Sequence, residues 1–289
     1  MSQTVVADFT GKFAAEETGG DGPVGGRILL SREQLVLATG DTKTVIPLDD
    51  IFDVGVGRVP PDMGEFFDST VTVAYRAGEG RYVAVVEADD EKIEKFSTVL
   101  FRVILNGTAV TVKHPAKVGG RITDEPFRTA RLNCRPGTVA FEGEDGGFEV
   151  DLSSVVGFER VSRDIKGATR PALSVRHRVD GQTVTSLAAT AGQREMGLLG
   201  RYLRKEYTDL VGDLREVDLS EQEVEVLVAI YTAPGDVSVA KVLDAEASQV
   251  TMLLNDLQEH ELVADTGSGT ELTAKGRVVV NNRLENVNA

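Results

Sequence analysis

Thr44–Gly57 reads TVIPLDDIFDVGVG, and Phe148–Val161 reads FEVDLSSVVGFERV. Both carry an apolar run, then apolar-x-Leu-polar-polar-apolar, then a second apolar run. Leu48 falls opposite Leu152, and Ile51 opposite Val155. Upstream, Gly26–Leu37 (GRILLSREQLVL) and Ala130–Phe141 (ARLNCRPGTVAF) each read as an alternating apolar strand, closed by the turns ATGDTK and EGEDGG. Downstream, each copy continues with a hairpin. Val71, Val73 and Tyr75 alternate before Gly78-Glu79-Gly80, and Leu173, Val175 and His177 alternate before Asp180-Gly181. An Asp-Gly pair between alternating runs marks a two-residue turn, because both central residues of a type I′ turn need positive φ.

Each copy then closes with a helix. Ile93, Phe96, Leu100 and Ile104 recur at helical spacing within about Asp89–Leu105, and Asn106-Gly107 ends the run. Met196, Leu199, Leu203 and Tyr207 repeat that phase within about Gln193–Val211. Strands, turns and helix therefore recur together, with a period of roughly 100 residues. The order predicts an α+β protein with two tandem pleckstrin-homology-like (PH-like) domains, each an antiparallel barrel or sheet with a C-terminal helix, at residues 1–107 and 108–214.

From about Leu219 the pattern turns helical. Ser220 and Glu223 form a capping-box pair ahead of the stripe Val224, Leu227, Val228 and Tyr231. Ala233-Pro234-Gly235 breaks it. A short helix is predicted at Val237–Asp244, a third at Ala245–His260, two short strands around Gly267-Ser268-Gly269, and a last helix from Ala274. This is the order of a winged helix, assigned to residues 215–289.

The 289 residues hold 31 Lys+Arg against 46 Asp+Glu, for a net charge of -15. That excess opposes non-specific binding to nucleic acid or an anionic membrane. Residues 217–289 hold thirteen acidic against four basic residues, and the predicted recognition helix has no Lys or Arg. No nucleic-acid partner is expected, since DNA affinity draws on phosphate contacts and base readout favours Arg and Lys. The Lys-poor, acidic composition suits a high-salt cytoplasm. No signal peptide or run of about 18 apolar residues is visible, so a cytoplasmic protein without membrane insertion is expected.

Catalytic material is scarce. One cysteine, Cys134, and three histidines, His114, His177 and His260, leave little for a metal site or a nucleophile–base pair. Cys134 reads as a small buried apolar group. His114 in KHPAK reads as an exposed strand end, His177 as a packing or surface residue, and His260 as a helix end. No phosphate-binding loop or hydrolase motif occurs, so no enzyme, cofactor or metal is expected.

Basic residues cluster in two places. Arg160, Arg163, Lys166 and Arg170 fall in RVSRDIKGATR, read as a loop between strands. Arg201, Arg204 and Lys205 fall on the second helix, away from its apolar face. Arginine pairs bidentately with carboxylate and phosphate, so these seven are the candidate protein-docking residues.

The doubled PLDDIFDVGVG and VDLSSVVGFER units, each closed by a helix and followed by LSEQEVEVLVAIYTAPG and MLLNDLQEHELV, resemble the archaeal taxis protein CheF family over essentially the whole chain. The resemblance implies a non-enzymatic adaptor between the chemotaxis system and the archaellum. It also implies as partners the response regulator CheY, the CheC and CheD proteins and the archaellum motor accessory proteins. An acidic phosphorylation pocket on the regulator suits the two basic clusters. The rival reading is a winged-helix transcription regulator with ligand-sensing N-terminal domains. Phosphoinositide binding is a third, which the net acidity opposes.

Overall fold

A computed structural model describes residues 4–15, 22–59, 69–144, 146–179, 181–212, 214, 217–232, 246–266 and 269–288. The fold is α+β, built on two large antiparallel sheets. The first holds β1 (Val5–Ala15), β2 (Val24–Ser31), β3 (Gln34–Ala38), β4 (Lys43–Pro47), β5 (Ile51–Val56), β6 (Ser69–Ala77) and β7 (Gly80–Ala88). Their spatial order is β4-β3-β2-β1-β7-β6-β5. A 3-10 turn at Leu48–Asp50 makes the corner into β5.

The second sheet repeats that order. It holds β8 (Ala109–Val118), a short β9 (Arg121–Ile122), β10 (Arg128–Arg135), β11 (Thr138–Glu142), β12 (Phe148–Asp151), β13 (Val155–Ile165), β14 (Ala168–Val179) and β15 (Gln182–Thr190). The strands run β12-β11-β10-β8-β15-β14-β13, with β9 paired to β8. Leu152–Ser154 is the matching 3-10 corner. Leu48 and Leu152 are buried in the two corners, as the shared motif requires.

Two expectations need correction. Gly26–Leu37 and Ala130–Phe141 are each two strands joined by a tight turn. Ser31 Oγ closes the first turn by accepting from the backbone N–H of Glu33 and Gln34, at 3.2 and 3.1 Å. Gly137 sits in the second at φ 65°, beyond β-strand reach for a side-chain-bearing residue. The stretch holding Arg160, Arg163, Lys166 and Arg170 is likewise no loop. It is the hairpin β13–β14, with Arg163 opposite Arg170 and Ile165 opposite Ala168. Lys166 and Gly167 turn it with φ 53° and 81°, the two positive values that a type I′ turn takes. Of the Asp180-Gly181 turn, Asp180 lies outside the described residues.

Helix α1 spans Asp90–Leu105, and α2 spans Gln193–Gly212. Asp89 caps α1 by accepting from the Lys92 N–H at 3.0 Å, and Asn106-Gly107 ends it. The helices do not serve one sheet each. α1 packs on β6, β1 and β7 of the first sheet and also on β10 of the second, α2 packs on β15 and β14 of the second and also on β5 of the first, and the two helices touch. One core cluster therefore runs from Phe13 through Phe101, Leu132 and Tyr202. Two polar clasps sit at its edges. Asn106 pairs with the backbone of Cys134, whose N–H donates to Asn106 Oδ1 at 2.6 Å. Arg194 on α2 donates to the carbonyls of Leu48 and Ile51 at 2.7 and 2.6 Å.

The C-terminal region holds α3 (Glu221–Thr232), α4 (Ala247–Glu259), β16 (Val263–Thr266), β17 (Gly269–Leu272) and α5 (Ala274–Asn288). The expected short helix at Val237–Asp244 and the Gly267-Ser268 turn lie outside the described residues. Val226, Leu227, Leu257, Leu262 and Val280 form a core separate from the main one. The capping box is present: Ser220 N–H donates to Glu223 Oε2 at 2.7 Å, and Glu223 N–H to Ser220 Oγ at 3.3 Å. Ser220→Ala should therefore lower the stability of this region by about 1 kcal/mol in a denaturant titration. α5 rests on the Leu152–Ser154 corner and β13, where buried Asn281 donates to the Ser153 carbonyl at 3.0 Å. Among the described residues no helix is long and apolar enough to cross a membrane.

Candidate protein-docking surfaces

The seven candidate basic residues do not converge on one site. Arg160, Arg163 and Arg170 stand exposed on the β13–β14 hairpin, with exposed Lys166 at its tip. Strand alternation divides them. Arg163 and Arg170 share one face with Val161, whereas Arg160 lies on the other, where its guanidinium donates to Gln193 Oε1. Among the described residues, Arg163 donates only to the carbonyl of its neighbour Ser162, at 3.0 Å, and Lys166 and Arg170 have no side-chain partner.

The α2 residues form the second group, in a groove of about 390 Å³ between α2 and β5, floored by Val54, Gly55 and Phe101. Two of the three are already engaged. Arg201 clasps Asp53 through both carboxylate oxygens, with Nη2–Oδ2 at 2.7 Å. Lys205 donates to Thr98 Oγ1 at 3.0 Å and to Asp209 at 2.5 Å, and its side chain is only 9% exposed. Its expected position away from the apolar face is thus corrected, since the lysine stem is covered and only the head finds polar partners. Arg204 is exposed and has no side-chain partner among the described residues. Sequence reading missed the residue that joins it, Arg58, which is exposed at the end of DVGVGR and lines the same groove. Only the packing of α2 against β5 brings Arg58 to Arg204.

His114, His177 and Cys134 occupy packed positions, whereas His260 is exposed at the end of α4. His177 is buried at 1% exposure, and Ser186 Oγ lies 2.9 Å from His177 Nε2 and 2.7 Å from His114 Nδ1. His114 is half-buried rather than at an exposed strand end, and its ring stacks on Phe148 at 4.0 Å. Burial pushes the His177 pKa down to about 4, aided by the facing His114. Burial lowers His114 as well, against the pull of Glu125. Cys134 is buried, and burial pushes its thiol up to about 12. Such a thiol is a poor nucleophile. Among the described residues no group of three or more His, Cys, Asp or Glu is placed to hold a metal ion.

Comparison with known proteins covers the whole chain. The family model described as archaeal chemotaxis signal transduction system protein F matches residues 5–209, which span both sheets and most of α2. Taxis protein CheF2 of Halobacterium salinarum (strain ATCC 29341 / DSM 671 / R1) is 44% identical over 288 residues, the full length of both chains. Taxis protein CheF1 of the same strain is 28% identical over 286 residues, covering 96% of this chain and 95% of that one. A match of this length, reaching from β1 to the C-terminal region, places the chain in the archaeal chemotaxis signal transduction protein F family.

Proposed function

We propose that this chain is a non-enzymatic adaptor of archaeal taxis signalling. It couples the response regulator CheY in its phosphorylated form, together with the CheC and CheD proteins, to accessory proteins of the archaellum motor. The curated relatives are named as taxis proteins, which supports a place in chemotaxis signalling. Seven antiparallel strands closed by a helix, twice over, support the reading as two PH-like domains at 1–107 and 108–214. Helices, a two-stranded wing and a last helix support a winged helix at 215–289. Modules of this kind serve well as docking scaffolds. The location proposed is cytoplasmic.

The observation that carries the docking site is the groove between β5 and α2. Arg58 and Arg204 stand there exposed, with no acidic partner among the described residues, in a chain of net charge -15. Two exposed guanidinium groups suit the acidic phosphorylation pocket of a response regulator. The hairpin residues Arg163, Lys166 and Arg170 offer a second basic face to the same class of surface. Regulator bound at one face and motor proteins at another would bias switching by the difference in affinity between the two regulator states.

The test is a binding titration with CheY activated by beryllofluoride. Arg204→Glu and Arg163→Glu are each expected to weaken binding about tenfold, which is about 1.4 kcal/mol. Affinity unchanged in both variants would remove these surfaces from the regulator contact.

A further inference from the structure

The second sheet has a face turned away from the shared core. Val161 and Ile165 of β13, Ala172 of β14 and Ala189 of β15 line it, and the chain before β10 lays Phe127 across them. Beside this small second core lies a cavity of about 210 Å³. Four cations from three strands reach it: Lys113 and Lys117 of β8, Arg163 of β13 and Arg176 of β14. The neighbouring strand β15 sets the spacing, since Leu187 pairs with Lys113 and Thr185 with Lys117. Across β14, Thr185 also pairs with Arg176, so Lys117 and Arg176 flank one residue.

Among the described residues that line the cavity, Glu159 and Asp164 are the acidic ones, and Asp164 is engaged by the Gly167 N–H at 2.9 Å. Lys113 donates to the Thr123 carbonyl at 2.9 Å and keeps further donors. Lys117 has no side-chain partner among the described residues. Ser174 of β14 lines the same cavity and is 3% exposed, which places a hydroxyl among the cations. The remaining wall is apolar, from Ala116, Phe127 and Leu187.

We propose that this cavity binds a small organic phosphate monoester. Four cations against two carboxylates leave an excess of charge that matches a dianion. Two guanidinium groups and a hydroxyl suit phosphoryl oxygens, which accept several directed hydrogen bonds at once. The apolar wall suits a compact organic body, the usual division of labour in a ligand pocket. Arg163 belongs to both this cavity and the hairpin face, whereas Lys117 and Arg176 belong to the cavity alone.

The experiment is a calorimetric titration of the full chain with phenyl phosphate, alongside phenol and inorganic phosphate. Saturable binding of phenyl phosphate is expected, tighter than either fragment. Lys117→Gln and Arg176→Gln should each weaken it about fivefold or more, with the thermal transition retained. Arg204→Gln, in the other groove, should leave it unchanged. The proposal is overturned by absence of saturation, by equal binding of phenol or of inorganic phosphate, by unchanged affinity in both cavity variants, or by loss of binding in Arg204→Gln. None of these outcomes bears on the regulator contact, because neither Lys117 nor Arg176 belongs to it.

Discussion

Tyr202→Ala is expected to lower the unfolding free energy by about 3–5 kcal/mol, the range for deleting a large aromatic side chain from a core. Tyr202 is fully buried, its ring centroid 6.0 Å from that of Phe101 on the other helix. Its hydroxyl donates to the Arg135 carbonyl at 3.1 Å, tying α2 to the end of β10. Burial also pushes the phenol pKa up, so the hydroxyl stays protonated and remains a donor. Tyr202→Phe keeps the ring and loses the hydroxyl's bonds to the Arg135 carbonyl and to Arg102, so about 1–2 kcal/mol is expected. Because a single cluster links both sheets, guanidinium unfolding of residues 5–209 should proceed in one transition. Two resolved transitions in the Tyr202→Ala protein alone would show that this ring couples the halves. Two in the unaltered protein would show that the halves are energetically separate.

The second large effect is on acid stability. His177 has a folded pKa of about 4 against an ordinary value of 6.5, because burial penalises its charged form. The unfolded chain therefore binds more protons between pH 4 and 6.5, and stability rises with pH across that window. The contribution is fully present above pH 6.5 and falls away as pH drops towards 4. Its size is about 3 kcal/mol, taking 1.36 kcal/mol per unit. The groups that face His177 are Ser186 and His114, with Glu125 acting on His114 from outside. Ser186 can accept from one charged ring while donating to the other, but a proton on both rings leaves it facing two donors. Denaturant midpoints at pH 7 and pH 4.5 check this, read as the difference between the natural chain and His177→Leu. The variant should lose less stability on acidification than the natural chain. Equal losses would mean that carboxylates alone account for the acid transition.

The parts of the fold with local signals were legible in the chain. α1 follows from Ile93, Phe96 and Leu100 with Asp89 ahead of them, and the capping box at Ser220 and Glu223 formed as spaced. The turn at Ser31 escaped because it has no Gly or Pro and is closed by a serine hydroxyl instead. The Pro136-Gly137 turn carried a signal that the flanking alternation masked. The β13–β14 hairpin looked like a loop because its charges face solvent and Lys166-Gly167 is a weaker turn pair than Asp-Gly. Of the candidate site, the exposed arginines were visible in sequence, but their engagement was not. Asp53 lies far from Arg201 along the chain, so only folding could neutralise it. Arg58 and the cavity lysines had no local pattern at all, since non-local strand pairing assembles both places.

The crossing of the two helices has a mechanical consequence. With α1 tied to β10 by Asn106 and α2 to the Leu48–Ile51 corner by Arg194, both helices brace the two sheets against each other. The distance between the β13–β14 tip and the β5–α2 groove is thereby set like the jaws of a fixed caliper. Two guests can sit on the molecule together only if their outlines match that gauge. One guest can therefore influence the other by crowding it out, with no bending of the host.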